Sequence, residues 1–202
     1  MARLISDFVP DALAKGPYTA PSNIAEDAVR RTAIDLCERG GIWQHEFEVM
    51  LQVGVPDYPI FTPDLTRVVC VDWVLLNQQK YRTQRASLVC QCGNFGISIP
   101  NNKTILFTPT PYPACNEVAT INLWLAPLQE CCDLPDKLWQ EYSDTIANGA
   151  AARMLQMPKQ DYTNQGLAMK LDRMYEAGVT RAKNKRVFER TTGPLLMRGS
   201  YF

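Results

Sequence analysis

Apolar and polar positions recur with two different periods along this chain, and the changes of period divide it. From Ser22 to Glu38 the apolar stripe Ala25, Ala28, Val29, Ala33, Leu36 and Cys37 follows helical spacing, with Arg30, Arg31, Asp35 and Glu38 opposite. Ser22-Asn23 open this predicted helix, with Glu26 three residues after Asn23 as in a capping box, and Gly40-Gly41 stop it. The period then falls to two. Phe47, Val49, Leu51 and Val53 alternate with Glu46, Glu48, Met50 and Gln52, as in a half-buried strand. Val55 to Pro63 is rich in proline and reads as a connection. Arg67 to Leu76 is mostly apolar and β-branched, a more buried strand. Asn77 to Arg85 is polar and basic and predicts a loop. Leu88, Cys90 and Cys92 keep period two, followed by Ile97 and Ile99. Pro100-Asn101-Asn102-Lys103 then turns the chain into Thr104–Thr108 as a hairpin. After the proline-rich stretch Pro109–Pro113, Ile121, Leu123 and Leu125 share one face of a last strand.

Helical spacing returns at Pro135. Leu138, Tyr142, Ile146, Ala150 and Met154 repeat every four residues, Trp139, Ala147, Ala151 and Leu155 widen the stripe, and Pro158 ends it. Thr163 is the expected cap of the next helix, whose stripe is Leu167, Leu171, Met174, Tyr175, Gly178 and Ala182. Gly149 and Gly178 cost ~1 kcal/mol each in helix propensity relative to Ala. Their place on or beside the stripes predicts close helix–helix approach in an α-hairpin. Residues 1–21 carry Pro10, Gly16, Pro17 and Pro21 and read as an irregular arm. The closing stretch holds Arg186, Phe188, Arg190, Leu195, Leu196, Met197, Arg198, Tyr201 and Phe202. It is too apolar for a purely solvating terminus and too short to build a core. Such a tail needs a surface to lie on.

The expected class is therefore α+β. A helical bundle of three main helices (22–45 and 133–186) carries an inserted antiparallel β-sheet or barrel region (46–132) of about six strands. The arm (1–21) precedes it and an extended C-terminal tail (187–202) follows.

Composition changes the picture in one respect. The 202 residues include 46% hydrophobic ones, enough for a real core, and 21 basic residues balance 21 acidic ones. A neutral chain is no general nucleic-acid binder. Between Arg181 and Arg198, however, Arg181, Lys183, Lys185, Arg186, Arg190 and Arg198 face a single acid, Glu189. An electrostatic partner belongs at that end. Three readings stay open for Arg181–Arg190: a solvated helix end, a dock for an acidic protein surface, or contacts to nucleic-acid phosphates. Seven cysteines without regular spacing argue for a reducing compartment. Asp7, Pro10 and Asp11 break any apolar run near the N-terminus, and no window resembles a membrane span. Synthesis and folding in a cytoplasm are expected.

Candidate chemistry is sparse. His45 is the only histidine, with no marked nucleophile or orienting acid, and reads as a residue in the turn before the first strand. Cys90-x-Cys92 lacks the spacing of zinc ligands, and both residues read as small core hydrophobes; Cys131-Cys132 adds no second pair. Gly93-Asn94-Phe95-Gly96 is a turn rather than a phosphate loop. Asp133, Asp136, Glu141 and Asp144 suit the start of a helix. No catalytic residue, metal or cofactor is expected.

One stretch resembles a known family. Leu123, Leu125, Ala126 and Pro127 lead into Leu134-Pro135-Asp136-Lys137-Leu138-Trp139. Then come Tyr142, the run Ile146-Ala147-Asn148-Gly149-Ala150-Ala151-Ala152-Arg153-Met154-Leu155, Met157-Pro158, and a helix from Asn164 to Lys185. Together with the opening helix and Ile42-Trp43, this is similar to the head-to-tail adaptor proteins of tailed bacteriophages, of the tail tubular protein A type found in short-tailed phages. The resemblance spans 22–53 and 117–186 and rests on helices and small residues, not reactive groups. It implies a virion protein at the head–tail junction, forming a ring commonly of twelve subunits beneath the portal. Viral DNA would pass through without sequence-specific binding and without a membrane partner. Val187–Phe202 would dock on the portal protein, with Arg186, Phe188, Arg190, Leu195, Leu196, Met197, Arg198, Tyr201 and Phe202 as its candidate contacts. The β region, with Lys80, Tyr81, Arg82 and Arg85, would face the tail nozzle or next tail protein. The alternative is a DNA-binding or genome-packaging accessory that uses the basic C-terminal region.

Overall fold

The computed structural model describes residues 2–76, 79–82, 89–92, 95–101, 103–108 and 117–191. The chain opens with a short strand, β1 (Ala2–Leu4), and passes directly into a helix, α1 (Ile5–Ala14). This corrects the expected irregular arm. Ile5, Phe8, Val9 and Ala12 fall on one face and are buried, Phe8 to 1% exposure. Pro10 inside α1 removes one backbone donor. Burial of the Phe8 face offsets that loss.

Helix α2 (Ser22–Gly40) buries its predicted stripe completely. The expected capping box does not form. Pro21 is the N-cap residue, and its carbonyl accepts from the amides of Ile24 and Ala25 at 3.1 and 3.0 Å. Asn23 is already inside the helix, where its side chain cannot cap. The other end behaves as read: Gly41 has φ 63°, and its amide donates to Cys37 O at 3.0 Å.

The β region follows as β2 (Gln44–Met50), β3 (Asp57–Pro59), β4 (Thr66–Leu76), β5 (Gln79–Arg82), β6 (Val89–Cys92), β7 (Phe95–Asn101), β8 (Thr104–Thr108) and β9 (Val118–Pro127). Among the described residues these eight strands form two four-stranded antiparallel sheets, ordered β2-β9-β4-β5 and β3-β8-β7-β6, with no closure into a barrel. Two segments read otherwise are strands here: the proline-rich connection contains β3, and the expected loop contains β5. β5 pairs with β4 through Leu76↔Gln79, Leu75↔Lys80, Val74↔Tyr81 and Trp73↔Arg82. Polar, charged residues suit an edge strand, which is why its sequence resembles a loop. The predicted hairpin joins β7 to β8, where Asn101 Oδ1 accepts from the Lys103 and Thr104 amides.

A short strand, β10 (Asp133–Pro135), pairs with β1 and leads into α3 (Asp136–Leu155) and α4 (Gln165–Thr191). Among the described residues the helical layer thus has four helices rather than three. Thr163 does not cap α4; its hydroxyl donates to Met157 O at 2.6 Å. Asn164 takes the cap instead, accepting from the Leu167 amide at 3.0 Å. Asn164→Ala is expected to lower unfolding stability by about 1 kcal/mol, read from a urea midpoint. An unchanged midpoint would remove Asn164 from that role. Met174, expected on the α4 stripe, is 44% exposed; Ala168, Leu171, Tyr175, Val179 and Ala182 carry the buried face.

Glycine sets the helix crossings. A Cβ on Gly178 would lie 2.5 Å from Thr145 Cγ2 of α3. One on Gly149 would lie 2.6 Å from Thr32 Cγ2 of α2 and 2.7 Å from Tyr175 Cδ2 of α4. The predicted close approach is real and involves three helices.

Two large hydrophobic interiors result, beside a smaller cluster of Ala151, Ala152, Leu155, Ala168 and Leu171 between α3 and α4. One lies among the helices and includes Phe8, Leu36, Leu138, Ile146, Met154, Tyr175 and Ala126 of β9. The other lies between the sheets and includes Val71, Val74, Ile97, Ile105, Phe107, Ile121 and Leu123. Strand β9 is buried on both faces from Ile121 to Pro127 and walls off one interior from the other. Trp43, half-buried, touches both.

Candidate docking surface

The last turns of α4 cross the seam between the helices and the β2-β9-β4-β5 sheet. Gly41 makes the seam possible. A Cβ there would lie 2.6 Å from Arg186 Nη1 and 3.0 Å from the Trp124 ring. Arg186 therefore lies flat on Trp124, with its guanidinium carbon 3.9 Å from the ring centroid. Its Nη1 donates to Gly40 O at 3.4 Å, while its buried Nε finds no hydrogen-bond partner among the described residues. Burial pulls the Arg186 pKa below its ordinary value. Beside it, Lys185 pairs with Glu141 of α3 at 2.6 Å. Lys137, Lys185, Arg186, Tyr142 and Gln44 line one narrow cleft. Three basic side chains, Lys137, Lys185 and Arg186, thus share this cleft.

Arg186, read as one of the docking residues of the tail, lies on α4 and packs against Trp124. The helix continues through Phe188 and Arg190 to Thr191, past the expected boundary at Arg186. Val187 is 49% exposed on that final stretch. Leu195, Leu196, Met197, Arg198, Tyr201 and Phe202 lie outside the described residues, as does Arg85. The remaining tail-facing candidates belong to β5. Lys80 is exposed, with Nζ 3.7 Å from the Trp73 ring centroid, while Tyr81 packs against the interior between the sheets. Alternation along the strand thus separates residues that the sequence groups together.

The other candidates have plain structural settings. His45 lies within β2 rather than in a turn, and its Nε2 donates to Phe61 O at 2.7 Å. Cys37, Cys70 and Cys131 are buried free thiols, and Cys132 is an exposed one. Burial raises the Cys37 pKa well above the usual thiol range. Cys131 Sγ donates to Asp133 O at 2.9 Å. Cys90 and Cys92 fall on β6; Gly93 and Asn94 lie outside the described residues. Among the described residues no three potential ligand side chains gather to hold a metal, and no helix is long and apolar enough to cross a membrane.

The α2–α4 contact is polar at its rim. Arg39 forks onto Glu176, at 2.7 and 2.5 Å, and also reaches Asp35 at 3.1 Å. The hydrogen bond from Arg39 holds the Glu176 carboxyl below its ordinary range. Tyr175 donates to Asp35 at 2.5 Å; burial first, then this bond, pushes its pKa up.

Sequence reasoning missed Trp124 and Gly41 as the bed for Arg186. Gly41 was legible only as a helix stop, and the contact joins residues far apart in the chain. No family model matches this chain, and a comparison with curated proteins finds no match.

Proposed function

We propose that this chain is a structural adaptor subunit that forms a ring between the portal of a phage head and the tail, without a catalytic step. The observation that carries the reading is α4. It leaves an α-hairpin packed through Gly149 and Gly178, roots Arg186 on Trp124, and runs on to Thr191. The eleven residues after Thr191 include Leu195, Leu196, Met197, Tyr201 and Phe202. Arg, Tyr and other large side chains dominate many interfaces, so such a strap suits docking on a portal protein. In this reading the helical layer faces the portal, the paired sheets face the next tail protein, and DNA passes through the lumen.

Binding of DNA or a role in packaging is the rival use of the basic end. Two of its cations are already engaged inside the chain, Lys185 with Glu141 and Arg186 with Trp124. That favours protein docking over phosphate contacts.

Electron microscopy of the virus's own portal mixed with this protein tests the proposal. The full chain is expected to add a ring to the portal, and a folded chain ending at Thr191 is expected to add none. Equal addition by the shortened chain would sink the strap, and no addition by either would sink the adaptor reading. Duplex DNA affinity with a steep salt dependence, reporting several phosphates, would instead favour the packaging role.

A further inference from the structure

Among the described residues the β2-β9-β4-β5 sheet ends in two strands of opposite charge, and its register aligns those charges. Across the sheet, Glu46 stands opposite Asn122, Asn122 opposite Trp73, and Trp73 opposite Arg82. Two residues along each strand, Glu48 stands opposite Thr120, Thr120 opposite Leu75, and Leu75 opposite Lys80. Each of these neighbouring rows therefore runs from an acidic residue on β2 to a basic residue on β5. Glu46, Glu48 and Lys80 are exposed.

We propose that the β2 edge of one copy pairs with the β5 edge of the next, continuing the sheet from subunit to subunit. Strand direction permits it. All neighbours in the sheet are antiparallel, so β5 runs opposite to β2. A second copy set alongside in the same orientation presents its β5 antiparallel to β2. One register of that ladder then places Glu46 against Arg82 and Glu48 against Lys80 together. Directly opposed unlike charges favour a cross-strand pair, and like charges oppose it.

The same charges select the kind of assembly. Pairing β2 with β2 would bring Glu46 and Glu48 against their own copies, and pairing β5 with β5 would bring Lys80 and Arg82 together. Both two-fold dimers are disfavoured. The head-to-tail contact remains, and such contacts build rings or filaments. This inference requires only that copies of the chain associate. Portal binding is a separate matter.

Sedimentation velocity on the full chain tests it. The parent protein is expected to form concentration-dependent oligomers that weaken as salt rises. Glu46→Lys with Glu48→Lys makes both edges basic, and Lys80→Glu with Arg82→Glu makes both acidic. Each variant alone, folded by circular dichroism, is expected to associate at least about tenfold more weakly. Mixed in equal amounts, the two are expected to assemble again, because every edge then meets its opposite. That recovery also excludes misfolding as the cause of the losses. A parent chain that stays monomeric at its highest soluble concentration would overturn the inference, as would unaffected variants or a mixture that remains dissociated. A monomeric parent chain that still binds the portal would overturn the edge pairing alone, and a self-associating parent that does not bind the portal would overturn only the adaptor reading.

Discussion

Phe8→Ala is expected to destabilise the protein by about 3–5 kcal/mol, a cost typical of emptying a large aromatic site in a packed interior. Phe8 is 1% exposed and meets Trp139 of α3 edge to face, with ring centroids 4.9 Å apart. Arg3 lies over the other side of this contact, 5.7 Å from the Trp139 ring, and also pairs with Asp136 at 3.2 Å. One face of α1 therefore forms part of the helical interior. Urea unfolding followed by circular dichroism measures the loss. A change below about 1 kcal/mol would mean that α1 is a detachable arm after all, since surface substitutions stay near that limit. Phe8→Leu keeps most of the volume and is expected to cost much less.

Gly149→Val should cost about 3 kcal/mol or more, because overpacking at a fixed backbone crossing leaves no side chain free to yield. The first added carbon already meets Thr32 Cγ2 at 2.6 Å and Tyr175 Cδ2 at 2.7 Å. Tyr175 cannot swing away cheaply while its hydroxyl is tied to Asp35. Alanine at this position adds only that one carbon and regains helix propensity of ~1 kcal/mol, so Gly149→Ala is expected to lose less. Adding Thr32→Ser to the valine variant removes Cγ2 but retains the hydroxyl, which donates to Ala28 O at 2.7 Å. Partial recovery is expected. Thermal or urea denaturation of the three variants reads the series, and a valine variant as stable as the parent would contradict the crossing geometry.

Both cases show where the sequence speaks plainly and where it misleads. The α2 and α3 stripes were legible because each keeps one period for several turns and each position is filled by an unambiguous apolar residue. The two glycines were legible as contacts because nothing else excuses glycine inside a helix. Helix α1 was hidden by Pro10, Asp7 and Asp11, local signals that its packing against α2 and α3 overrides. β5 was hidden for the opposite reason. An edge strand can be mostly polar, so Gln79, Lys80 and Arg82 gave it the composition of a loop although Tyr81 packs against the interior between the sheets. Met174 shows the limit of periodicity, since a stripe drawn two residues wide cannot say which member turns inward. As for the candidate surface, the basic C-terminal end was legible as charge. The bed beneath Arg186 was not, because Gly41, Trp124 and Arg186 meet only after folding. The aligned charges of Glu46, Glu48, Lys80 and Arg82 were equally invisible without the register.

Strand β9 has one face in the interior between the sheets and the other toward the helices. A strand shared in this way couples the two halves energetically. Loosening its helix-facing side also disturbs the packing of Ile121 and Leu123 in the sandwich, and the reverse holds. The two large interiors are therefore expected to unfold together, with β9 among the last segments to open and exchange its amide hydrogens.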